Sequence, residues 1–66
     1  MFTIRLGRHH EITETFNDFN EVAAVVRTVV LFNMDLGEDG WPEPEVIGDL
    51  SEPQKRRLIA IWNGGM

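Results

Sequence analysis

Several clusters in this 66-residue chain have the residue types, though not always the spacing, for chemistry. His9-His10-Glu11 sets both histidines of the protein beside a carboxylate, the ingredients of a metal site or a proton relay. Adjacent residues on an extended chain point to opposite faces, however, so these three read as turn residues. Asp35-Leu36-Gly37-Glu38-Asp39-Gly40 has the opening of a calcium loop, with acids at the first and fifth positions and glycine at the sixth. The pattern then fails: position three is Gly37, position eight is Pro42, and position twelve is Val46 where a bidentate Glu is required. No metal or cofactor is expected. Gly-rich phosphate loops, nucleophile elbows and Ser/His/Asp sets are absent from the sequence. Carboxylates are plentiful, but so short a chain offers no deep apolar cleft to raise a pKa, so no catalytic residue is expected and the chain is not expected to be an enzyme.

What remains is surface chemistry. Asp35, Glu38, Asp39, Glu43, Glu45, Asp49 and Glu52 follow one another with no Lys or Arg among them. Residues 1–54 carry all eleven acids against Arg5, Arg8 and Arg27, a formal charge of about −8, and Lys55-Arg56-Arg57 oppose them. The segment is either a solvated loop that keeps the protein soluble or an acidic face that docks on a basic protein surface, with electrostatic steering and salt sensitivity. Trp41 lies inside it, between Gly40 and Pro42. It either folds back as a lid on the core or, if exposed, anchors an interface, as large rigid aromatics do. Lys55-Arg56-Arg57, beside Asp49 and Glu52, are expected to form local ion pairs worth little individually.

Composition sets the frame for these candidates. The net charge is −5 and the sequence pI near 4.7, a field that repels a phosphate backbone, so direct nucleic-acid binding is disfavoured. Hydrophobic residues make up 42% of the chain, too many for disorder at this charge, so a folded domain is expected. Its size gives one domain, residues 1–66, with a small and marginal core. There is no cysteine to staple it, and neither a signal-peptide h-region nor an apolar run of roughly 18 residues to span a membrane. A complete, cytoplasmic, single-domain protein is the expectation.

The elements that must position the candidates can be read from hydrophobic spacing. Phe2-Thr3-Ile4-Arg5-Leu6 alternates as a half-buried strand, Gly7 to His10 makes a turn, and Glu11 to Phe16 returns as the second strand with Ile12, Glu14 and Phe16 on one face. Asp18 with Glu21 predicts a capped helix start, and Phe19, Val22, Ala23, Val26, Val29, Val30 and Asn33 recur at helical spacing to about Asn33. The β-branched pairs Val25-Val26 and Val29-Val30 are the counter-signal, since they also suit a buried strand. Met34 to Asp49 is irregular, with Glu45-Val46-Ile47 as its only candidate strand. Ser51 and Gln54 form a capping box around Pro53 for a second helix, which Asn63-Gly64-Gly65 ends. The expected fold is α+β, a β-hairpin or three-stranded antiparallel sheet packed by two helices in the order β-β-α-(β)-α.

On the first helix, Val25 and Phe32 fall well away from the Val22, Val26 and Val29 face, and Leu31 falls on another side. One sheet cannot cover them all. The second helix is expected to pack there, and the alternative is a dimer or partner interface.

A small acidic chain without cysteine or catalytic signature resembles, in type, the inhibitor proteins that phages encode against host defence, the anti-CRISPR proteins. The residues that carry the likeness are the acids from Asp35 to Glu52, joined by Glu11, Glu14, Asp18 and Glu21. The resemblance implies a non-catalytic inhibitor, DNA-like in charge, that blocks a basic nucleic-acid-binding effector, with Trp41 or Phe32 supplying apolar contact. The rival expectation is a structural module that homodimerises through exposed apolar residues of the first helix.

Overall fold

A computed structural model describes residues 1–64, apart from the Glu38 side chain, and shows the order β-β-α-β-α. β1 (Phe2–Leu6) is the central strand of a three-stranded antiparallel sheet, flanked by β2 (Ile12–Phe16) and β3 (Glu45–Gly48). The register follows the alternation of β1. Phe2, Ile4 and Leu6 pair with Phe16, Glu14 and Ile12 on one side, and Phe2 and Ile4 pair with Gly48 and Val46 on the other, so all of these share the inner face. Thr3, Arg5, Thr13, Thr15, Glu45 and Ile47 occupy the outer face, which no described element covers.

α1 (Phe19–Leu36) is helical throughout, including both valine pairs. Burial decides this against β propensity, because Val22, Ala23, Val26 and Val29 all reach the core only when wound at helical spacing. Its start is capped by Asp18, which accepts from the Asn20 amide at 3.0 Å. Glu21 contributes charge to the first turn and makes no return bond of a capping box. The helix runs three residues beyond the Asn33 end expected from the apolar spacing. It stops where Gly37, at φ 61°, turns left-handed and returns its amide to the Asn33 carbonyl.

α2 (Glu52–Trp62) opens with the complete capping box of Ser51 and Gln54, and Asn63 closes it. Gly65 lies outside the described residues. Leu58 and Ile61 enter the core formed by Phe2, Ile4, Val22, Ala23 and Val26. The second helix therefore packs on the Ala23 side of α1, with Leu31 bordering the groove between them, and does not cover Val25 or Phe32, contrary to expectation. No described helix is long and apolar enough to cross a membrane.

The core is thin: the shortest dimension of the molecule is 14 Å, and Ile4 and Val22 are its largest fully buried side chains. Removing one methylene from Ile4 by Ile4→Val is expected to lower stability by about 1 kcal/mol, and the same change at half-exposed Ile47 by much less. Urea unfolding of the two variants checks the difference.

Candidate functional site

The irregular stretch after α1 is organised by side chains. A short turn of 3-10 helix, Gly37–Asp39, leads into Gly40–Pro44, which belongs to no regular element. Backbone groups without a ladder need other partners, and three side chains supply them. Asn33 Nδ2 donates to the Trp41 carbonyl at 2.7 Å and Asn33 Oδ1 accepts from the Trp41 amide at 2.7 Å. Arg8 donates to the Asp39 carbonyl at 3.1 Å. His10 Nε2 lies 2.9 Å from the Glu43 carbonyl; a carbonyl only accepts, so the ring proton sits on Nε2. Gly40 is required by the close approach: a Cβ there would meet Asn33 Oδ1 at 2.8 Å.

The Asn33 clamp lays Trp41 back on α1. Its ring meets Phe32 with centroids 5.3 Å apart and planes inclined at 59°. Trp41 is half-buried while Phe32 remains 44% exposed, so the indole is a lid over the flank of the helix and not over the central core. Beneath it lies a hollow of about 340 Å³, lined by Leu6, Val25, Val29, Phe32 and Trp41, with Ala24 and Thr28 at its margin. No lining side chain is titratable. Ile12, paired with Leu6 on the same sheet face and 38% exposed, continues the apolar surface along β2.

The acids are arranged differently from the sequence expectation. Asp35, Asp39, Glu43, Glu45, Asp49 and Glu52 are all exposed, and the Glu38 side chain lies outside the described residues. They do not share one face. Glu45 projects from the outer face of the sheet, 3.9 Å from Arg5, whereas Asp35 sits on α1 beyond the inner face. Glu52 lies at the start of α2, 3.5 Å from Lys55. Asp39, Trp41 and Glu43 are close together, but Arg8 and His10 bind the backbone among them. Of the expected partner-binding residues, the fold joins Phe32 with Trp41, and Asp35, Asp39 and Glu43 are neighbours of these two in sequence. It places Glu45, Asp49 and Glu52 elsewhere.

No family model, curated protein or solved structure matches the chain significantly. The likeness to phage anti-CRISPR inhibitors therefore has no support in relationship. The DNA-mimic idea also fails on geometry, because a phosphate-like row needs consecutive charges on one surface and these acids are split across both layers and interrupted by Arg5, Arg8 and Lys55. Acidity describes the composition, not a surface, and those assignments are withdrawn.

Leu6, Val25 and Val29 complete the hollow without having been marked as site residues. The signal for Val25 was present in its position off the buried stripe; for Leu6 there was none, since it reads as an ordinary inward strand residue. Among the described residues no group of three or more His, Cys, Asp or Glu side chains is arranged to hold a metal ion. In the His9-His10-Glu11 turn, the Glu11 carboxylate accepts from the His9 amide at 2.8 Å instead. Hydrogen bonds from its own amide and from that of His9 hold the Glu11 carboxyl below its ordinary value of 4.5.

Two outcomes are expected. Asn33→Ala removes both bonds to the Trp41 backbone, lowers stability by about 1–3 kcal/mol, and shifts Trp41 emission to the red when Trp62 is replaced by Phe. Because the folded pKa of Glu11 is depressed, its contribution to stability is present above the ordinary value and disappears as pH falls through the folded one. Glu11→Gln should accordingly flatten the loss of stability on acidification, which unfolding curves across the acid range would reveal.

Proposed function

We propose that this domain is a non-catalytic protein-binding module whose docking surface is the hollow beneath Trp41. The observation that carries the reading is the hollow itself: a concave surface lined by Leu6, Val25, Val29, Phe32 and Trp41, open beside the uncovered inner face of β2. Concave apolar surface flanked by a half-buried Trp41 and an exposed Phe32 is the anatomy of a binding hot spot, where aromatics buried on docking contribute most of the energy. The lining offers nothing for acid-base or nucleophilic work, which favours binding over catalysis.

Charge narrows the partner. Asp35 follows Phe32 by one turn of α1, and Asp39 and Glu43 flank Trp41 in the chain, all exposed. An amphipathic partner segment with Lys or Arg beside its apolar residues would place cations against these carboxylates and apolar side chains in the hollow. The partner is thus a basic protein surface, as the acids suggested, but the acids act as the rim of an apolar site and not as the site.

A short Lys/Leu amphipathic peptide is the probe. It should move Trp41 emission to the blue in the Trp62→Phe background, with an affinity that falls as salt is raised and is lost in Phe32→Ser. No change in emission, or affinity indifferent to both salt and Phe32, would sink the reading. Sedimentation across a concentration series separates the rival: self-association abolished by Phe32→Ser would make the hollow a homodimer seam.

A further inference from the structure

The other flank of α1 carries a groove of different chemistry. It lies between α1 and α2, encloses about 690 Å³, and is walled by Arg27 and Arg57 over a floor that includes Ala23, Ala24, Leu31 and Ala60. Both arginines are exposed, and among the described residues neither has a carboxylate within ion-pair distance. In a chain with eleven acids and six basic residues, two cations lining one groove make a local positive potential against the net charge. Arg57 is held instead by an aromatic ring: its guanidinium carbon lies 6.0 Å from the centroid of Phe19. A cation–π contact consumes none of the guanidinium N–H donors, so these stay available to an acceptor.

The floor decides what kind of anion fits. A nucleic acid would bring a run of phosphates against a molecule of net charge −5, with two arginines to oppose that repulsion. An acidic peptide brings one or two carboxylates, and its apolar side chains match Leu31, 48% exposed, and the alanines around it. We propose that this groove binds an acidic, partly apolar peptide segment of a partner protein, its carboxylates received by Arg27 and Arg57. The groove adjoins the hollow, sharing Ala24 and Thr28 with it, but Arg27 and Arg57 line the groove alone.

The test is a titration of isotope-labelled protein followed by amide and arginine side-chain resonances, using a short Glu/Leu peptide, with a Lys/Leu peptide and a single-stranded oligonucleotide in parallel. The Glu/Leu peptide should shift Thr28, Leu31, Ala60 and the Arg27 and Arg57 side chains. Affinity should fall roughly tenfold for each guanidinium removed in R27Q and R57Q, and Ile47→Ser, on the outer sheet face, should leave it unchanged. If the double Gln variant loses its helical dichroism, R27K/R57K serves in its place, keeping the charge without the planar fork and giving a smaller loss. Equal binding of the oligonucleotide, shifts confined to other residues, or no shift at all would overturn the proposal. So would movement of the same resonances with protein concentration alone, which would make the occupant a second copy.

Discussion

The double hydrogen bond between the Asn33 side chain and the backbone of Trp41 is the interaction on which the surface of this domain depends. The sheet and helices satisfy their own backbone groups; Gly40–Pro44 cannot, because it belongs to no ladder. A primary amide has one donor and one acceptor edge and so can pair with a peptide unit as a strand would. Asn33 does this from the last full turn of α1, while its own carbonyl accepts the capping amide of Gly37. Gly37 ends the helix, and Asn33 then fixes the reversed chain and returns the indole to Phe32. Arg8 and His10, reaching over from the β1–β2 turn, hold the segment on either side of it. The hairpin turn, the helix end and the loop are a single assembly.

How much of this the sequence disclosed follows from the range of each interaction. The strands, both helices and the Ser51 and Gln54 cap depend on spacing within a few residues, and they were legible. The spacing put Ile12, Glu14 and Phe16 on one face of β2 but left the register open because Glu14 breaks the apolar pattern; the structure pairs Glu14 with Ile4. The end of α1 was misread because apolar spacing stops at Asn33, whereas the geometric stop is the positive φ of Gly37. Asn33 itself read as a polar residue on a buried stripe. Its role needs a partner eight residues on, across a reversal that no local propensity encodes.

The acidic segment shows the same limit for charge. A run of acids in sequence becomes a face only if the chain holds them on one side, and this chain does not. It passes from helix to turn to loop to an edge strand, so that Asp35 and Glu45 end in different layers. Each change of element also brings a cation or a backbone bond nearby, as Arg5 beside Glu45 and Lys55 beside Glu52 illustrate. Exposed pairs of this kind contribute little to stability, but they divide the potential. Net charge then governs solubility and approach, and local shape governs what is recognised.

That shape is set by two short connections. α1 begins two residues after β2, and its buried stripe lies against Phe2 and Ile4 of the central strand. α2 follows β3 across Asp49–Ser51, with Leu50 packed against the core and its amide bonded to the Gly48 carbonyl at 2.9 Å. So tight a link keeps α2 on the β3 side, where Leu58 and Ile59 border a hollow with Val46 and Leu50. Two helices each about 10 Å across are wide enough for three strands spaced about 4.8 Å apart, yet here α2 packs along α1 and borders the sheet only beside Val46 of β3. The inner face of β2 is left to Ile12, Glu14 and a half-buried Phe16. Coverage is short at the Leu6 and Ile12 end of that face, beside Val25, Phe32 and Trp41.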